Sequence, residues 1–209
     1  GLTKSRKAII CFSDKNNFRK QLDSKYKSFR KKVRKPICYK PLRQWIEDTH
    51  ETVSYKNLEG DDVIGLLATG IYKNQSVIVS GDKDMRTIPA PQVCIVDDQI
   101  EIIDENLADY NFCTQVLKGD SSDGYSGLVG CGSVKASRVL NEKKNLITQW
   151  EAVLQEYTRC KYSIDDAYHQ ARLARILREG EYNYTTHKPK LWDYQYEHYR
   201  NFKESRKVS

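Results

Sequence analysis

The 209-residue sequence lacks the long apolar runs of a membrane protein, since no stretch approaches the ~18 consecutive apolar residues that a spanning helix needs. It also lacks the apolar segment of a signal peptide near its N-terminus. None of its six cysteines belongs to a C-x-x-C pair, which argues against a zinc site and favours reduced thiols. We therefore expect a soluble, cytoplasmic protein without a membrane partner.

Acidic residues are scarce in the first part of the chain and concentrated in its middle. Residues 1–43 have a net charge of +13, residues 44–125 have −11, and residues 126–209 have +5. Basic flanks attract a polyanion, whereas a concentrated negative middle suggests a site for cations. Solvated surface charge is the simpler alternative, and the positions of the acids decide between the two.

Hydrophobic periodicity predicts strands that alternate with helices in the first half of the chain and helices alone in the second. Strands are expected at 7–13, 52–56 and 76–80, with a hairpin at 92–103. Helices are expected at 41–50, 59–71, 105–119, 133–142, 146–160 and 164–180. This order predicts an α/β fold with a mostly parallel sheet flanked by helices, followed by a C-terminal helical lobe.

Carboxylates stand where the predicted strands end or where the next helix begins. Asp14 follows the first strand, and Asp82 and Asp84 follow the strand at 76–80. Because the carboxyl ends of parallel strands meet at one sheet edge, acids that are far apart in sequence are expected to gather there. The full set of candidate metal ligands is Asp14, Glu59, Asp61, Asp62, Asp82, Asp84, Asp120 and Asp123.

Such a cluster needs a cation, because mutual repulsion would otherwise raise the pKa of several of its carboxyl groups. Ligation by oxygen alone favours Mg²⁺ or Mn²⁺. Two such ions about 3.5–4 Å apart suit the hydrolysis of a phosphodiester. For one acid alone, a helix cap or a surface charge is the simpler explanation, but the ordered set favours a two-metal site.

The glycine-rich loop KGDSSDGYSGLVGCG, residues 118–132, fits none of the common phosphate or calcium motifs. Ser133 stands where a P-loop needs lysine, the dinucleotide fingerprint fails at Lys135, and no glutamate completes an EF-hand loop. The remaining interpretation is a tight turn between helices. Its candidate contacts to a nucleic-acid backbone are Gly127, Gly130, Gly132 and Lys135.

The motifs EGDD, GDKD and GDSSDGYSGLVGCGSVKA resemble, in this order, the three acidic motifs of the 5′-nuclease superfamily of flap endonucleases and phage exonucleases. They are most similar to the replicative 5′–3′ exonucleases of short-tailed lytic phages. The resemblance covers about residues 7–140, although Gly124 stands where the family usually has asparagine. It implies a PIN-like core, metal-binding acids, and a helix–three-turn–helix that grips duplex DNA and binds K⁺.

The basic segment KYKSFRKK, residues 25–32, resembles the helical arch of that family. The resemblance implies that Lys27 and Arg30 act on the scissile phosphate and that Tyr26 stacks on an end base. For each residue taken alone, a solvated surface position is the simpler explanation. Further DNA contacts are expected from Lys25 and Lys31.

The family begins with a strand that carries an early aspartate, and nothing before Lys7 supplies one. We therefore expect an N-terminally truncated chain. We assign residues 1–117 to the α/β core with its arch at about 15–40, residues 118–180 to the helix–three-turn–helix and helical lobe, and residues 181–209 to a tail or arm.

These features predict a divalent-metal-dependent 5′–3′ exonuclease that acts as a monomer on the 5′ end of duplex DNA, and on RNA paired to DNA, in phage replication or host DNA degradation. Lys83 is a third candidate catalytic residue, although a lysine between two acids more often balances charge. One alternative is a structure-specific duplex DNA-binding protein with an impaired nuclease site. Another is an RNA-processing nuclease with a similar acidic sheet edge.

Overall fold

A computed structural model describes residue 5 and residues 7–94 and 99–196. The helices are α1 Arg19–Leu22, α2 Tyr39–Thr49, α3 Gly60–Thr69, α4 Glu105–Lys118, α5 Ser133–Leu140, α6 Leu146–Arg159 and α7 Ile164–Ala174. The strands are β1 Ile9–Cys11, β2 Glu51–Val53, β3 Ile78–Ser80, β4 Pro91–Cys94, β5 Ile100–Ile102, β6 Tyr182–Asn183 and β7 Lys188–Pro189. Short 3₁₀ helices occupy Ser28–Lys32 and Lys83–Thr87. The predicted α/β class and helical C-terminal region are confirmed.

Small sheets replace the single, mostly parallel sheet that the sequence predicts. β1 pairs in parallel with β2, with Ile9 opposite Glu51. β3 pairs in parallel with β4, and β4 pairs antiparallel with β5, with Val93 opposite Ile100. The turn of that hairpin, at 95–98, lies outside the described residues. Alternating strands and helices indicate parallel pairing, but contacts between distant segments decide how many strands join one sheet.

One compact unit comprises residues 1–105 and 176–190. Its apolar centre contains Ala68 of α3, Ile78 of β3 and Ile176, all less than 8% exposed. Ile176 begins the returning segment, residues 176–190, in which the chain comes back to this unit. Apolar side chains from three separate stretches of sequence therefore form one core and hold α3 against the strands.

The returning segment passes directly against α3. A Cβ atom on Gly65 would lie 2.2 Å from the carbonyl oxygen of Leu177, which is closer than real Cβ contacts come. Glycine at this position therefore allows the backbone after residue 175 to reach α3, the helix that begins in the EGDD motif.

The second unit comprises residues 106–175 and 191–209, of which the structure describes residues up to 196. Trp150 is fully buried, with its ring centroid 5.1 Å from that of Tyr168 and 5.7 Å from that of Trp192. Its indole N–H donates to the Tyr168 hydroxyl at 3.1 Å. Large aromatic side chains thus fill the centre of the helical unit. No helix in the described part of the chain is both long and apolar enough to cross a membrane.

Residues 175–190 differ from the predicted long helix and tail. α7 ends at Ala174, and the Leu177 N–H donates to a carboxylate of Asp62 at 3.2 Å instead of continuing the helix. Further along, β6 and β7 form a short antiparallel hairpin in the first unit. Strands of two residues leave no hydrophobic period in the sequence, so the pattern could not indicate them.

Gly65→Ala should lower the free energy of unfolding by about 1–3 kcal/mol, because its methyl group would press on the Leu177 carbonyl. Gly81→Ala is the matched control, since a Cβ atom at that exposed position meets nothing within 4 Å. Urea denaturation measures both variants. Equal effects of the two substitutions would contradict the close packing at Gly65.

Candidate active site

The first turn of α3 is held against the end of β1. The Gly60 N–H donates to the Ser13 hydroxyl at 2.9 Å, and a Cβ atom on Gly60 would lie 3.0 Å from the Cys11 carbonyl oxygen. The glycine of the EGDD motif therefore permits the approach of helix to strand. Glu59 is the N-cap of α3, so the acids of the motif lie beside the positive end of the helix dipole.

Asp62 is fully buried and forms a bidentate ion pair. Both its oxygens accept from the Arg19 guanidinium at 2.7 Å, and the Arg19 side chain is only 3% exposed. The Glu59 N–H and the Leu177 N–H each donate to Asp62 at 3.2 Å. The carboxylate of Asp62 thus accepts four hydrogen bonds, which connect α1, α3 and the returning segment.

Glu59 accepts from three side chains of the predicted arch region. Its Oε1 accepts from the Lys27 ammonium at 2.7 Å, and its Oε2 accepts from the Tyr26 hydroxyl at 2.8 Å and from Arg19 at 3.2 Å. Burial by itself raises the pKa of Glu59, but the charges of Arg19 and Lys27 outweigh burial and lower that pKa overall. Glu59 therefore stays ionised.

Asp61 is the acid whose environment resists ionisation. Burial, followed by the charges of Glu59, Asp62 and Asp82, raises its pKa to about 7 in spite of a partial offset from Lys27. Asp82, from the GDKD motif, thus acts electrostatically on the EGDD acids. Asp82 of the second motif is therefore near enough to Asp61 of the first for their charges to interact within the first unit.

The carboxylates of Asp14 and Asp82 are fixed by backbone N–H groups. The Asn57 N–H donates to Asp14 at 2.8 Å, and this hydrogen bond is the main reason that the pKa of Asp14 lies below its ordinary value. The Asp84 N–H donates to Asp82 at 2.9 Å, which starts the 3₁₀ helix after β3. Lys83 lies between Asp82 and Asp84 in the sequence, and its side chain is exposed.

The arch residues divide into two groups. Tyr26 and Lys27 are buried against the acids, and Lys27 has the left-handed backbone angle φ of +49°. Lys25 and Arg30 are exposed, and the Arg30 guanidinium lies 5.9 Å from the Phe29 ring centroid. The side chain of Lys31 lies outside the described part of the structure.

The glycine-rich loop lies in the second unit, where two glycines bring its ends together. Gly119 and Gly127 both have positive φ, and a Cβ atom on Gly127 would lie 2.3 Å from the Gly119 nitrogen. Asp120 is 7% exposed and accepts from the Ser122 N–H at 2.7 Å. Asp123 is half-buried. This turn is therefore as tight as the sequence indicates.

The predicted DNA contacts of the loop differ in their surroundings. The Gly127 N–H already donates to Gln170 at 2.9 Å. Gly130 and Gly132 are exposed, with nothing within 4 Å of an added Cβ atom. Lys135 lies 3.2 Å from Glu156, and hydrogen bonds from Arg159 and from Lys135 lower the pKa of Glu156 to about 2. The positive charge of Lys135 is thus balanced within the lobe.

The donor set of the first unit fits a hard divalent cation. Its acids offer oxygen atoms alone, and burial together with the neighbouring carboxylates raises the pKa of Asp61, an effect that a bound cation would offset. In residues 7–94 and 99–196, no three His, Cys, Asp or Glu side chains are already arranged around one metal position. Around Glu59 and Asp62, the cationic groups of Arg19 and Lys27 lie where a metal ion would otherwise contact the carboxylates.

Sequence patterns missed three residues that organise the site. Arg19 resembles any other cation in a basic segment, and Ser13 and Asn57 carry no motif of their own. Only the folded chain shows that Arg19 contacts two acids, that Ser13 caps α3, and that Asn57 holds Asp14. In the sequence, Arg19 is distinguished only by its place in the basic segment predicted as the arch, eight residues before Lys27.

Comparison with known proteins matches this chain to one family. The model of the "5′-3′ exonuclease, N-terminal resolvase-like domain" matches residues 2–113. The exonuclease of Escherichia phage T7 is 30% identical over 218 residues, which cover 88% of this chain and 73% of that protein. The exodeoxyribonuclease of Enterobacteria phage T3 is 31% identical over 218 residues, which cover 88% and 72%.

A solved structure with a similar fold is the bacteriophage T5 D15 flap endonuclease in a pseudo-enzyme–product complex with DNA and metal ions. It aligns with a TM-score of 0.62 and 14% identity, over 83% of this chain and 75% of that one. A T5 5′-exonuclease with bound zinc aligns with a TM-score of 0.59 and 14% identity, over 82% and 75%. Both matches support the α/β fold described above.

Arg19→Met should lower the free energy of unfolding by about 3–5 kcal/mol, because it leaves the buried Asp62 carboxylate without a counter-ion. Arg86→Met, which breaks a pair that is 51% and 46% exposed, should cost less than about 1 kcal/mol. Denaturant unfolding compares the two.

Adding Asp62→Asn to Arg19→Met should recover about 1–2 kcal/mol, since the neutral amide still accepts from the Leu177 N–H. The same unfolding experiment on the double variant measures this. An Arg19→Met loss no larger than that of Arg86→Met would contradict the role of the pair.

Asp61→Asn should raise the free energy of unfolding by about 1–3 kcal/mol at pH 8 in EDTA. The folded wild type keeps the Asp61 proton up to about pH 7, whereas the unfolded chain releases it near 3.8. Wild-type stability therefore falls as pH rises through this window, and the advantage of the variant should vanish towards pH 4. Thermal unfolding across pH measures it, with the exposed Asp48→Asn as control. A difference independent of pH would refute this assignment.

Proposed function

The chain belongs to the 5′–3′ exonuclease family, and we propose that it uses divalent metal ions to hydrolyse phosphodiesters from the 5′ end of duplex DNA. The family is one of phosphodiester hydrolases, and the phage relatives are named as exonuclease and exodeoxyribonuclease. RNA paired to DNA is a further proposed substrate. The observation that carries the proposal is the contact of Lys27, in the predicted arch, with Glu59 of the EGDD motif, together with the effect of Asp82 of the GDKD motif on the pKa of Asp61.

The acids of the first unit are proposed to share the metal-binding work unequally. Asp61 is the best candidate for a direct ligand, because burial and the charges of Glu59, Asp62 and Asp82 raise its pKa and a cation would offset them. Asp82 is the second candidate, since it is the member of the GDKD motif whose charge reaches Asp61. Asp14, Asp84 and Glu59 complete the proposed set. When bound, Mg²⁺ or Mn²⁺ would activate water and neutralise charge at the leaving oxygen. The metal role of Asp120 and Asp123 rests on their motif.

The side chains of the chain itself supply positioning and charge. Arg19 keeps Asp62 and Glu59 in place, which leaves Asp62 a supporting residue in the proposed site. Lys27 and Arg30 are proposed to neutralise charge that develops on the scissile phosphate, as the family resemblance implies. Lys83, which is exposed between Asp82 and Asp84, is proposed to balance their charge.

The uncleaved duplex is proposed to bind at the glycine loop of the second unit. Gly130 and Gly132 are exposed ahead of α5, so a sugar-phosphate backbone could approach the N–H groups at that helix end. This is the proposed helix–three-turn–helix, and K⁺ is proposed to bind there. A T5 flap endonuclease of similar fold was solved with DNA. Tyr26 is buried on Glu59, so base stacking by this residue would require it to move.

Asp82→Ala combined with Asp84→Ala should reduce Mg²⁺-dependent release of 5′ nucleotides by at least about a hundredfold, since it removes a proposed ligand pair. A 3′-labelled duplex with a recessed or blunt 5′ end measures the activity. The matched control is Asp48→Ala combined with Glu142→Ala, which removes two exposed acids of α2 and the loop after α5. Undiminished cleavage would sink the proposal, and duplex binding without cleavage by the wild type would favour a DNA-binding protein.

A further inference from the structure

Lys27 lies on a carboxylate that the proposed nuclease site assigns to a metal. Its ammonium is 2.7 Å from Oε1 of Glu59, and the two side chains are only 10% and 14% exposed. The residue has φ of +49° and ψ of +26°, a conformation that few residues other than glycine adopt. Tyr26, beside it, is 2% exposed and fixed by its own bond to Glu59. The surrounding structure thus holds Lys27 in an unusual, inward position.

The two oxygens of Glu59 have different partners. Oε2 accepts from Tyr26 and Arg19, and Arg19 cannot leave without breaking its two bonds to Asp62. Glu59 also accepts from the backbone N–H of Asp62, which is fixed in α3. Among the three side-chain donors, Lys27 on Oε1 has the flexible four-carbon stem and can reorient most readily. A second cation can therefore reach Glu59 most readily at Oε1, in the place of the Lys27 ammonium.

We infer that Lys27 and a divalent metal ion exchange at Oε1 of Glu59. Without metal, Lys27 is the cation at Oε1, while Arg19 contacts Oε2. With metal, the Lys27 ammonium leaves Glu59 and becomes available to a phosphate of the DNA. This inference rests on the proposed function, because it assigns Glu59 to the metal site and Lys27 to the phosphate.

The exchange solves an electrostatic problem and has a functional consequence. Arg19 divides its charge between Glu59 and Asp62, and an under-paired buried carboxylate is costly, so a second cation at Oε1 stabilises Glu59 before and after the exchange. Because the two cations compete, the lysine that neutralises phosphate charge is released only in a metal-loaded site. The coupling between metal binding and phosphate binding acts in both directions, so a phosphate that binds Lys27 should in turn strengthen metal binding.

Lys27→Met should bind Mn²⁺ about three- to tenfold more tightly than the wild type in the absence of DNA, because the competing cation is gone. Free Mn²⁺ measured by electron paramagnetic resonance gives the affinities. Lys20→Met is the matched control, since Lys20 is an exposed lysine at the end of α1, and its affinity should be unchanged. Equal affinities of wild type and Lys27→Met would overturn the exchange.

Removing a nearby positive charge strengthens cation binding in any case, so a second measurement must show that Lys27 moves. Brief reductive methylation of the wild type, followed by mass spectrometry, reports how accessible each lysine is. Mg²⁺ should increase the labelling of Lys27 severalfold and leave that of Lys20 unchanged. This experiment needs no variant, so it holds even where Lys27→Met fails to fold.

The nuclease assay on the same preparation separates the two proposals. Mg²⁺-dependent cleavage with unchanged Lys27 labelling would overturn the exchange and leave the proposed function standing. Neither Mn²⁺ binding nor cleavage by the wild type would overturn both. Cleavage together with metal-induced labelling, and tighter Mn²⁺ binding by Lys27→Met, supports the exchange.

Discussion

The buried ion pair between Arg19 and Asp62 is the interaction on which the candidate site depends. It joins the start of the arch to the first turn of α3, and the Leu177 N–H ties the returning segment to the same carboxylate. Burial disfavours both charges, so each is retained only because the other compensates it. Burial by itself lowers the pKa of Arg19, but the charge of Asp62 and its hydrogen bonds with Arg19 outweigh burial and hold that pKa well above its ordinary value. The pair thereby places Glu59 beside Lys27 and sets the orientation of α3.

From this arrangement follows a graded distribution of negative charge. Asp62 forms a bidentate ion pair with Arg19. Glu59 shares Arg19 with Asp62 and has Lys27 as a second cation, whereas Asp61 is buried near the charges of Glu59, Asp62 and Asp82. Acids that look equivalent in the EGDD motif therefore have three different physical roles. The raised pKa of Asp61 lowers the stability of the metal-free chain at neutral pH, and it fits the cation that we propose for this site.

Much of the fold could be predicted because long helices and buried strands leave a periodic pattern. The expected helices at 105–119, 133–142 and 146–160 correspond closely to α4, α5 and α6. The pattern was less informative where tertiary contacts override it. The expected helix at 164–180 ends at Ala174, since Ile176 enters the core of the first unit, and the hairpin of β6 and β7 is too short to show a period. Pairing of strands into small sheets depends on long-range contacts that no local window contains.

The sequence by itself determined the chemistry of the candidate site: the acidic motifs, their order along the chain, and the basic arch that supplies Lys27. These are matters of residue type and spacing, and the match to the exonuclease family agrees with them. Only the tertiary structure decided which of these acids are paired with cations of the chain itself. Arg19 could have been one more solvated cation, but burial beside Asp62 and Glu59 makes it the centre of the site. The physical reason is that the energy of a charge depends on burial and neighbours, which are properties of the folded chain.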